Sequence, residues 1–265
     1  MGKANHMTFP GGVHPADGSD KALSADRLIQ PYMPKQVAIS MEQTIGGTCE
    51  LLVKPGDRVK AGQKIGEAKA FMAANIHASV DGRVLEVKNL NQNGRTVQVC
   101  VIQADDGPAE EAEALSYTTS LADISGWDRD GIIQKIQDGG LAGMGGAGFP
   151  AYKKYLTDKK IDTLLINGVE CEPYLTCDYR SMLEYSYAIV NGVRLLWKAA
   201  GAERACICIE DNKPKAIERL REIVKEVKEP LEVVVLPTRY PQGGERQLIQ
   251  AVMGREVPQG GLPAD

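Results

Sequence analysis

The sequence predicts two structural classes in succession, a small all-β unit followed by an α/β unit built on a parallel sheet. Within residues 36–104, short apolar runs alternate with turn sequences such as Pro55-Gly56-Asp57, a pattern typical of short strands joined by tight turns. From Ser120 onward, strand-like and helix-like patterns alternate, and this order predicts parallel strands joined by helices, as in Rossmann-like folds. The composition changes between the two regions, after residues 108–111.

Three regions follow from these patterns. Residues 1–36 are expected to form an extended arm, because prolines and glycines interrupt them repeatedly. Residues 37–105 are expected to form the all-β unit, and residues 115–265 the α/β unit. The strands predicted in the all-β unit are Val37–Ser40, Glu50–Val53, Gly66–Ala68, Val84–Val87 and Val97–Ile102.

The α/β unit is predicted to contain buried strands that alternate with amphipathic helices. The predicted strands are Ile161–Ile166, Ala205–Ile209 and Val233–Leu236. The predicted helices are one that buries Ile132, Ile133 and Ile136 and ends at Gly139-Gly140, one long helix from Asp178 or Ser181 to Gly201, Ala216–Val227, and Gly243–Met253. The long helix is expected to bury a single stripe formed by Met182, Tyr185, Ile189, Val193 and Leu196.

Composition and charge narrow the function classes. Hydrophobic residues make up 43% of the chain and charged residues 25%, which is ordinary for a soluble globular protein. The formal net charge of -4 argues against a dedicated nucleic-acid-binding protein. No apolar run reaches the ~18 residues that a membrane helix needs, and the polar N-terminus lacks the apolar core of a signal peptide. We therefore expect a cytoplasmic protein without a membrane span, which a partner can hold at a membrane.

The six cysteines are not spaced as C-x-x-C, so the sequence predicts no metal or iron–sulfur site in this chain. Cys206 and Cys208 alternate with isoleucines, and this pattern favours small apolar side chains in a buried strand. Cys171 and Cys177 lie in a polar loop, where two interpretations stay open. They are either two free thiols near a nucleotide pocket or a redox-sensitive pair, depending on their exposure and thiolate character.

The glycine-rich stretch Gly139–Pro150 is the first candidate for ligand binding. Glycines that precede a helix allow backbone N–H groups to approach a phosphate or a flat ring closely. A lysine one turn later, such as Lys154, is suited to pair with a phosphate. Taken alone, such a stretch is equally typical of a tight turn.

Two further polar loops follow predicted strands, at residues 167–173 and 240–245. In open α/β sheets, ligands bind at the carboxyl ends of the strands, so each loop is placed where a ligand is expected. Each loop by itself is also typical of a polar connection whose acids cap a helix. Together with the glycine-rich stretch, the two loops predict one pocket with three walls.

Residues 53–66 followed by residues 76–84 resemble the barrel-sandwich fold of biotinyl and lipoyl carrier domains. Those carriers present a lysine at a hairpin tip between the two motifs. Here Phe71 falls at the tip, and Lys69 lies two residues earlier. A structural docking module is therefore favoured over a carrier, and a biotin adduct on Lys69 would reverse that preference.

The glycine-rich segment 143–150 with Lys154 resembles the flavin and NADH loop of the nucleotide-binding subunit of respiratory complex I. Residues 167–173, Asn-Gly-Val-Glu-Cys-Glu-Pro, resemble the Asn-Ala-Asp-Glu-Ser-Glu-Pro segment of that subunit. Nearly the whole chain is similar to the C subunit family of Rnf-type ferredoxin–NAD oxidoreductases. That family also has the Gly-Gly-Val-His-Pro arm, here Gly11–Pro15, and the barrel-sandwich unit.

The resemblance implies a site for FMN and NADH in which the cofactor itself performs hydride transfer, so no side chain is expected to be catalytic. The residues it implies for FMN are Gly143, Gly145, Gly146, Lys154, Asn167, Glu170, Tyr240 and Gly243. The residues it implies for NADH are Phe149, which would stack on the nicotinamide nucleotide, Glu172 and Glu245. Val169 and Gly244 replace two acids of the complex I pattern, which weakens the basis for NADH more than that for the flavin.

The implied function is electron input to a membrane complex, coupled to ion translocation. The resemblance also implies 4Fe-4S clusters in a region beyond Asp265, so we expect this chain to be part of a longer protein whose flavin site needs a further loop. The expected partners are the membrane and iron–sulfur subunits of the complex, at the cytoplasmic face of the bacterial membrane. Two alternatives stay open, a cobalamin reductase of bacterial microcompartments and a non-catalytic docking scaffold.

Overall fold

The computed structural model describes residues 7–14, 21–30, 32–92, 94–106, 118–145 and 148–265, which form two compact units. The sheet unit consists of the described residues within Met1–Gln30, Thr118–Gly126 and Lys159–Asp265. The barrel unit consists of those within Pro31–Tyr117 and Trp127–Asp158. The two units alternate along the chain, and the bounds inferred from the sequence stay predictions.

The barrel unit contains seven short or medium strands in two antiparallel sheets. The strands are β1 (Gln36–Ser40), β2 (Glu50–Leu51), β3 (Arg58–Val59), β4 (Lys64–Glu67), β5 (Ile76–His77), β6 (Gly82–Gln92) and β7 (Arg95–Ala104). One sheet has the order β1-β7-β6-β3 and the other β2-β4-β5. All five predicted strands are present, whereas the two-residue strands β3 and β5 were not predicted.

The apolar core of the barrel unit lies between these strands and includes Met41, Ile65, Val84 and Ile102, all buried. The turn between β4 and β5 carries Phe71, which is 75% exposed. Lys69 precedes this turn and forms surface ion pairs with Glu50 and Glu67.

Helix α2 (Arg129–Asp138) also belongs to the barrel unit and confirms the first predicted helix. Asp128 begins the helix, and its side chain accepts a hydrogen bond from Gly131 N at 2.7 Å. The helix ends at Gly139-Gly140, where Gly140 has φ 63, a left-handed conformation that favours glycine. The isoleucines that it buries are Ile132, Ile133 and Ile136, as predicted.

The sheet unit contains three parallel strands in the order β10-β9-β8, together with five helices among its described residues. The strands are β8 (Thr163–Gly168), β9 (Arg204–Glu210) and β10 (Leu231–Leu236). The helices are α1 (Ala22–Ala25), α3 (Cys177–Glu184), α4 (Ser186–Ala200), α5 (Pro214–Val224) and α6 (Glu245–Met253). The parallel sheet that was predicted from the alternation of strands and helices is therefore present.

The prediction of one long helix from Asp178 or Ser181 to Gly201 is wrong, because two helices meet at Tyr185. Tyr185 leaves helical geometry, with φ -121 and ψ 32. Next to it, the buried hydroxyl of Ser186 donates to the carbonyl oxygen of Met182 at 2.7 Å, a local bond of the kind that competes with the helical backbone. The far end matches the prediction, since Gly201 ends α4 with φ 62.

Each face of the parallel sheet has its own apolar cluster. On one face, helices α3, α4 and α5 bury residues such as Met182, Val193 and Leu220 against β9. On the other face, α6 buries Leu248 against Cys206 and Cys208. Both cysteines are completely buried, as the alternating pattern predicted, and burial raises the pKa of each thiol to about 12. Within the described residues, every helix is too short or too polar to cross a bilayer.

Candidate functional site

Because the three strands of the sheet unit are parallel, the loops that follow them lie at one edge of the sheet. We call residues 169–176, 211–213 and 237–244 the strand-end loops. Asn167, at the end of β8, connects two of them. Its Nδ2 donates to the carbonyl oxygen of Gly243 at 2.9 Å, and its Oδ1 accepts from Val169 N at 3.2 Å. Asn167 therefore holds the loop after β8 against the loop after β10.

Gly243 is the point of closest approach between these two loops. A Cβ at this position would come within 2.5 Å of the carbonyl oxygen of Val169, so only glycine fits. The N–H of Gly243 points to the sulfur of Cys171, with an N···Sγ distance of 3.4 Å. The resemblance implied Gly243 as a residue for FMN, and the structure shows that it lies where the loops after β8 and β10 meet.

Glu170 is buried, with 4% of its surface exposed. Its Oε1 accepts a hydrogen bond of 2.7 Å from Asp178 N in the first turn of α3, which satisfies one of the free N–H groups there. Its Oε2 is buried and has no hydrogen-bond partner among the described residues. A buried carboxylate oxygen without a partner is costly, so Oε2 is suited to accept a bond from a ligand.

The remaining predicted residues of this unit lie on the outer side of the loops. Glu172 is exposed, and Glu245 is the exposed first residue of α6, at the positive end of the helix. Tyr240 is 38% exposed and precedes Pro241 through a cis peptide bond. Directly after it, Gln242 is completely buried and neither of its amide atoms has a partner among the described residues.

All six cysteines are described and none forms a disulfide. Cys171 is half-buried and Cys177 is exposed. Burial raises the pKa of both thiols, and the neighbouring Asp178 carboxylate raises that of Cys177 further. Glu170, Cys177 and Asp178 bring ligand atoms within 4.8 Å of one another, but two of the three are exposed, and this arrangement alone assigns no metal.

A buried ion pair between Glu210 and Lys213 was not predicted from the sequence. Glu210, at the end of β9, is completely buried, and Lys213 is 2% exposed; the N···O distance is 2.8 Å. Glu210 Oε1 also accepts from Arg239 N at 3.4 Å, and Lys213 Nζ lies 3.5 Å from the carbonyl oxygen of Glu170. The pair thus contacts all three strand-end loops. One feature of the sequence could have indicated this pair: Glu210 directly continues the predicted buried strand 205–209.

The N-terminal arm also contacts the strand-end loops, which no sequence pattern indicated. Val13 pairs with Tyr240 through two backbone hydrogen bonds of 2.8 and 2.9 Å. Arg239 donates to the side-chain oxygen of Thr8 and to the carbonyl oxygen of Phe9. Lys21 donates to three carbonyl oxygens of the loop after β8.

The glycine-rich stretch lies in the barrel unit and forms a loop with a closed base and an open tip. At the base, Gly143 N donates to the carbonyl oxygen of Phe149 and Ala151 N to that of Leu141, each at 2.8 Å. Gly143 at the base and Gly145 nearer the tip are exposed, and a Cβ on Gly145 would meet no atom of the described residues within 4 Å. Gly146 lies outside the described residues.

Phe149 and Lys154 follow the tip of this loop. Phe149 is half-buried, and the Lys154 ammonium lies 6.0 Å from the centre of its ring. Lys154 belongs to a short 3₁₀ helix, Ala151–Tyr155, whose Tyr152 and Tyr155 are buried. An aromatic face, a nearby cation and open backbone at the glycines together form a surface suited to a flat anionic ligand.

The predicted site residues therefore divide into two groups. The sheet unit holds Asn167, Glu170, Glu172, Tyr240, Gly243 and Glu245 around the strand-end loops. The barrel unit holds Gly143, Gly145, Phe149 and Lys154. The joining of both groups in one pocket stays a prediction. Two observations fit a flavin nucleotide: the partnerless oxygen of Glu170 and the open space at Gly145.

Two family models match the chain in sequence order. Residues 7–107 match the RnfC Barrel sandwich hybrid domain, and residues 136–265 match the Nuo51 FMN-binding domain. These matches support the barrel-sandwich and flavin-domain assignments.

Curated relatives match over nearly the whole chain. The C subunit of a proton-translocating ferredoxin:NAD(+) oxidoreductase complex from Clostridium ljungdahlii is 43% identical, over 97% of this chain and 56% of the relative. The C subunit of a Na(+)-translocating complex from Acetobacterium woodii is 40% identical, over 98% of this chain and 58% of the relative. The chain thus spans somewhat more than half the length of these relatives. A crystal structure of an NAD+-reducing [NiFe]-hydrogenase in the H2-reduced state is 28% identical over 48% of this chain and 25% of its own, with a TM-score of 0.41.

Proposed function

Because this chain belongs to the C subunit family of ion-translocating ferredoxin:NAD(+) oxidoreductase complexes, we propose that it holds FMN and receives electrons from, or returns them to, NAD(H). The observation that carries the proposal is the match of residues 136–265 to an FMN-binding domain, since that stretch contains the glycine-rich loop and the strand-end loops. The parallel sheet supports a Rossmann-like interpretation of the sheet unit.

The chain's residues contribute binding and orientation, and bound FMN supplies hydride chemistry. The backbone of Gly143 and Gly145 gives close access to a ring or phosphate, and Lys154 offers a positive charge to a phosphate. Glu170 Oε2 accepts a hydrogen bond from the flavin or its ribityl chain. Asn167 and Gly243 position the strand-end loops for this contact.

NADH is proposed to bind beside the flavin. Phe149 stacks on the nicotinamide nucleotide, while Glu172 and Glu245 accept hydrogen bonds from its hydroxyl groups. Tyr240 closes the pocket from the loop after β10. We place the 4Fe-4S clusters that continue the electron path outside this chain. We place the chain peripherally on the cytoplasmic face of the bacterial membrane, bound to the membrane and iron–sulfur subunits of the complex.

The test uses Gly145, because a Cβ added there would meet no atom of the described residues within 4 Å. The protein is produced from its complete gene, and FMN affinity is measured by quenching of flavin fluorescence. Gly145→Val is expected to weaken FMN binding about tenfold or more, equivalent to about 1.4 kcal/mol, with an unchanged unfolding midpoint.

Gly126→Val is the matched control, because Gly126 is also exposed with open space around its Cβ position. This variant is expected to bind FMN like the wild type. Absence of FMN binding by the wild-type protein contradicts the proposed function. Wild-type affinity in Gly145→Val contradicts the assignment of the glycine loop.

A further inference from the structure

We infer that Lys21 of the N-terminal arm is a positioning residue for the proposed FMN and NADH site: its ammonium group acts as a built-in cation that holds residues 170–175 in their binding conformation. The inference rests on the proposed function, because this loop carries Glu170 and Glu172. It adds a residue that neither the motifs nor the resemblance indicated.

Among the described residues, the ammonium group of Lys21 donates its hydrogen bonds to the backbone of one loop. Its Nζ donates to the carbonyl oxygens of Glu170 at 2.9 Å, Glu172 at 2.7 Å and Leu175 at 2.7 Å. A lysine ammonium has three N–H donors, so these three oxygens use its complete donor capacity. Hydrogen bonds from a charged donor are shorter and stronger than neutral ones, and these distances are in that range.

The loop adopts a conformation that needs such support. Tyr174 has φ 66, the only positive φ of a non-glycine residue among the parts of the chain that the structure describes. A bulky side chain in this region is energetically unfavourable and persists only where its surroundings enforce it. The turn brings the carbonyl oxygens of the loop together, and their negative ends repel one another unless a cation lies between them.

Residues next to Lys21 strengthen the same contact. Ser24 Oγ donates to the carbonyl oxygen of Tyr174 at 3.3 Å, and Thr176 Oγ1 donates to Ser24 Oγ at 2.8 Å. The segment 21–24 therefore contacts the loop from its beginning to its end, although it lies about 150 residues away in sequence.

A second lysine, Lys213, lies near one of the carbonyl oxygens that Lys21 contacts. Lys213 Nζ lies 3.5 Å from the carbonyl oxygen of Glu170 that Lys21 also contacts. Burial and the neighbouring Lys213 lower the pKa of Lys21, while the carboxylates of Glu170 and Glu210 act in the opposite direction. Lys213 is neutralised by Glu210 at 2.8 Å, whereas Lys21 is directed to carbonyl oxygens. The ammonium group of Lys21 thus binds the backbone of the loop and forms no ion pair with a carboxylate among the described residues.

Removal of the Lys21 side chain is expected to affect ligand binding more than folding. Lys21 is half-buried and lies outside both apolar clusters of the sheet, so its removal leaves the core intact. The carboxylates of Glu170 and Glu172 lie on the loop that it holds. Release of the loop displaces both groups, and loss of one such hydrogen-bonded carboxylate contact is expected to weaken ligand binding about tenfold.

The experiment compares Lys21→Ala and Lys21→Met with the wild type, in protein produced from its complete gene. FMN affinity is measured by fluorescence quenching, without additive and with propylammonium or tetramethylammonium chloride. Propylammonium replaces the atoms that alanine lacks, including the N–H donors, whereas tetramethylammonium supplies charge without donors.

We expect both variants to bind FMN about tenfold more weakly than the wild type. Propylammonium should restore binding to Lys21→Ala but not to Lys21→Met, whose side chain fills the space. Lys215→Met is the matched control: Lys215 forms an exposed ion pair of 3.5 Å with Asp26 of the same arm but does not contact residues 170–175. This control should bind like the wild type. Affinity of Lys21→Met within twofold of the wild type, or equal rescue by tetramethylammonium, overturns the inference.

A second readout separates this inference from the proposed function. Cys171 lies in the loop and is half-buried, so loop release should increase its rate of alkylation in Lys21→Ala, and propylammonium should restore protection. If the wild type binds no FMN, the proposed function fails, and the labelling of Cys171 still decides the role of Lys21. An unchanged Cys171 alkylation rate in Lys21→Ala overturns the role of Lys21 even when FMN binds.

Discussion

The strand-end loops of the sheet unit and the glycine loop of the barrel unit are both proposed to bind ligand, and they are built differently. In the strand-end loops, side chains make the connections. The buried Glu210–Lys213 pair and the exposed Asn167 join one loop to another, and the half-buried Lys21 joins the N-terminal arm to the loop after β8. The glycine loop is closed by backbone hydrogen bonds at its base and is open at its tip. The first region is specified by particular side chains, and the second by glycines and backbone hydrogen bonds.

Gly243 and Gly145 illustrate this difference between the two regions. Gly243 is required because Val169 O occupies the space of a Cβ, at 2.5 Å. Gly145 has no atom within 4 Å of that position, so nothing in the described structure requires a glycine there. Gly126 has the same open space, so the assignment of Gly145 to a ligand depends on its place in the glycine-rich stretch as well.

The largest expected effect tests whether side chains specify the strand-end loops. Lys213→Met leaves Glu210 buried without its partner and should lower the free energy of unfolding of the sheet unit by about 3–5 kcal/mol. Hydrogen exchange measured by mass spectrometry should show the loss in β9 and the strand-end loops.

The double variant Glu210→Leu/Lys213→Met is the control for this prediction. It removes both charges, so it should be more stable than Lys213→Met alone. Equal stability of Lys213→Met and the wild type would contradict the view that the pair supports the loops.

The next effect compares Gly140, at the start of the glycine-rich stretch, with Gly145, in its middle. Gly140 has φ 63, and a Cβ there would come within 2.0 Å of Asn75 O. Gly140→Ala should therefore destabilise the barrel unit by at least about 1–2 kcal/mol. Gly145→Ala should change its stability by less than about 0.5 kcal/mol. Urea unfolding of the two variants measures the difference in stability. Similar losses of stability in both variants would contradict the distinction between the closed base and the open tip.

The smallest expected effect is a difference in alkylation rate between thiols at the surface and in the core of the sheet unit. Cys177 is exposed with a raised pKa, so iodoacetamide should modify it slowly at neutral pH and faster as rising pH forms the thiolate. Cys206 and Cys208 are buried with pKa values of about 12 and should stay unmodified in the native protein at pH 8. Mass spectrometry of labelled peptides gives the rates. Labelling of Cys206 as fast as Cys177 would show that the core of the sheet is open to solvent.

The same thiol experiment addresses the open question about Cys171 and Cys177. Redox-sensitive cysteines are accessible and carry thiolate at neutral pH. Burial raises the pKa of both thiols, which favours two free, mainly protonated thiols over a redox-sensitive pair. Rapid oxidation of Cys177 by hydrogen peroxide at pH 7 would reverse that preference.

Individual elements show which features of the structure could be predicted from the sequence. The buried isoleucines of α2 and the alternating Cys206 and Cys208 were correctly placed, because each pattern depends on neighbours within a few residues. The break at Tyr185 was missed, because the apolar stripe continues across it while the local bonds of Ser186 leave no periodic signal. Glu170 was selected as a ligand residue, and its bond to Asp178 N also matches the alternative interpretation of this loop, in which an acid caps a helix.

Sequence patterns were enough to predict the order of the two domain types, the glycine loop, two of the three strand-end loops, and the family resemblance that the curated relatives support. The three-dimensional arrangement was needed to show that Lys21 and the Glu210–Lys213 pair hold those loops. The physical reason is that turns, caps and buried faces arise from short-range chemistry, which repeats along the chain. A lysine that meets carbonyl oxygens about 150 residues away depends on how the whole unit folds, and no local pattern records that contact.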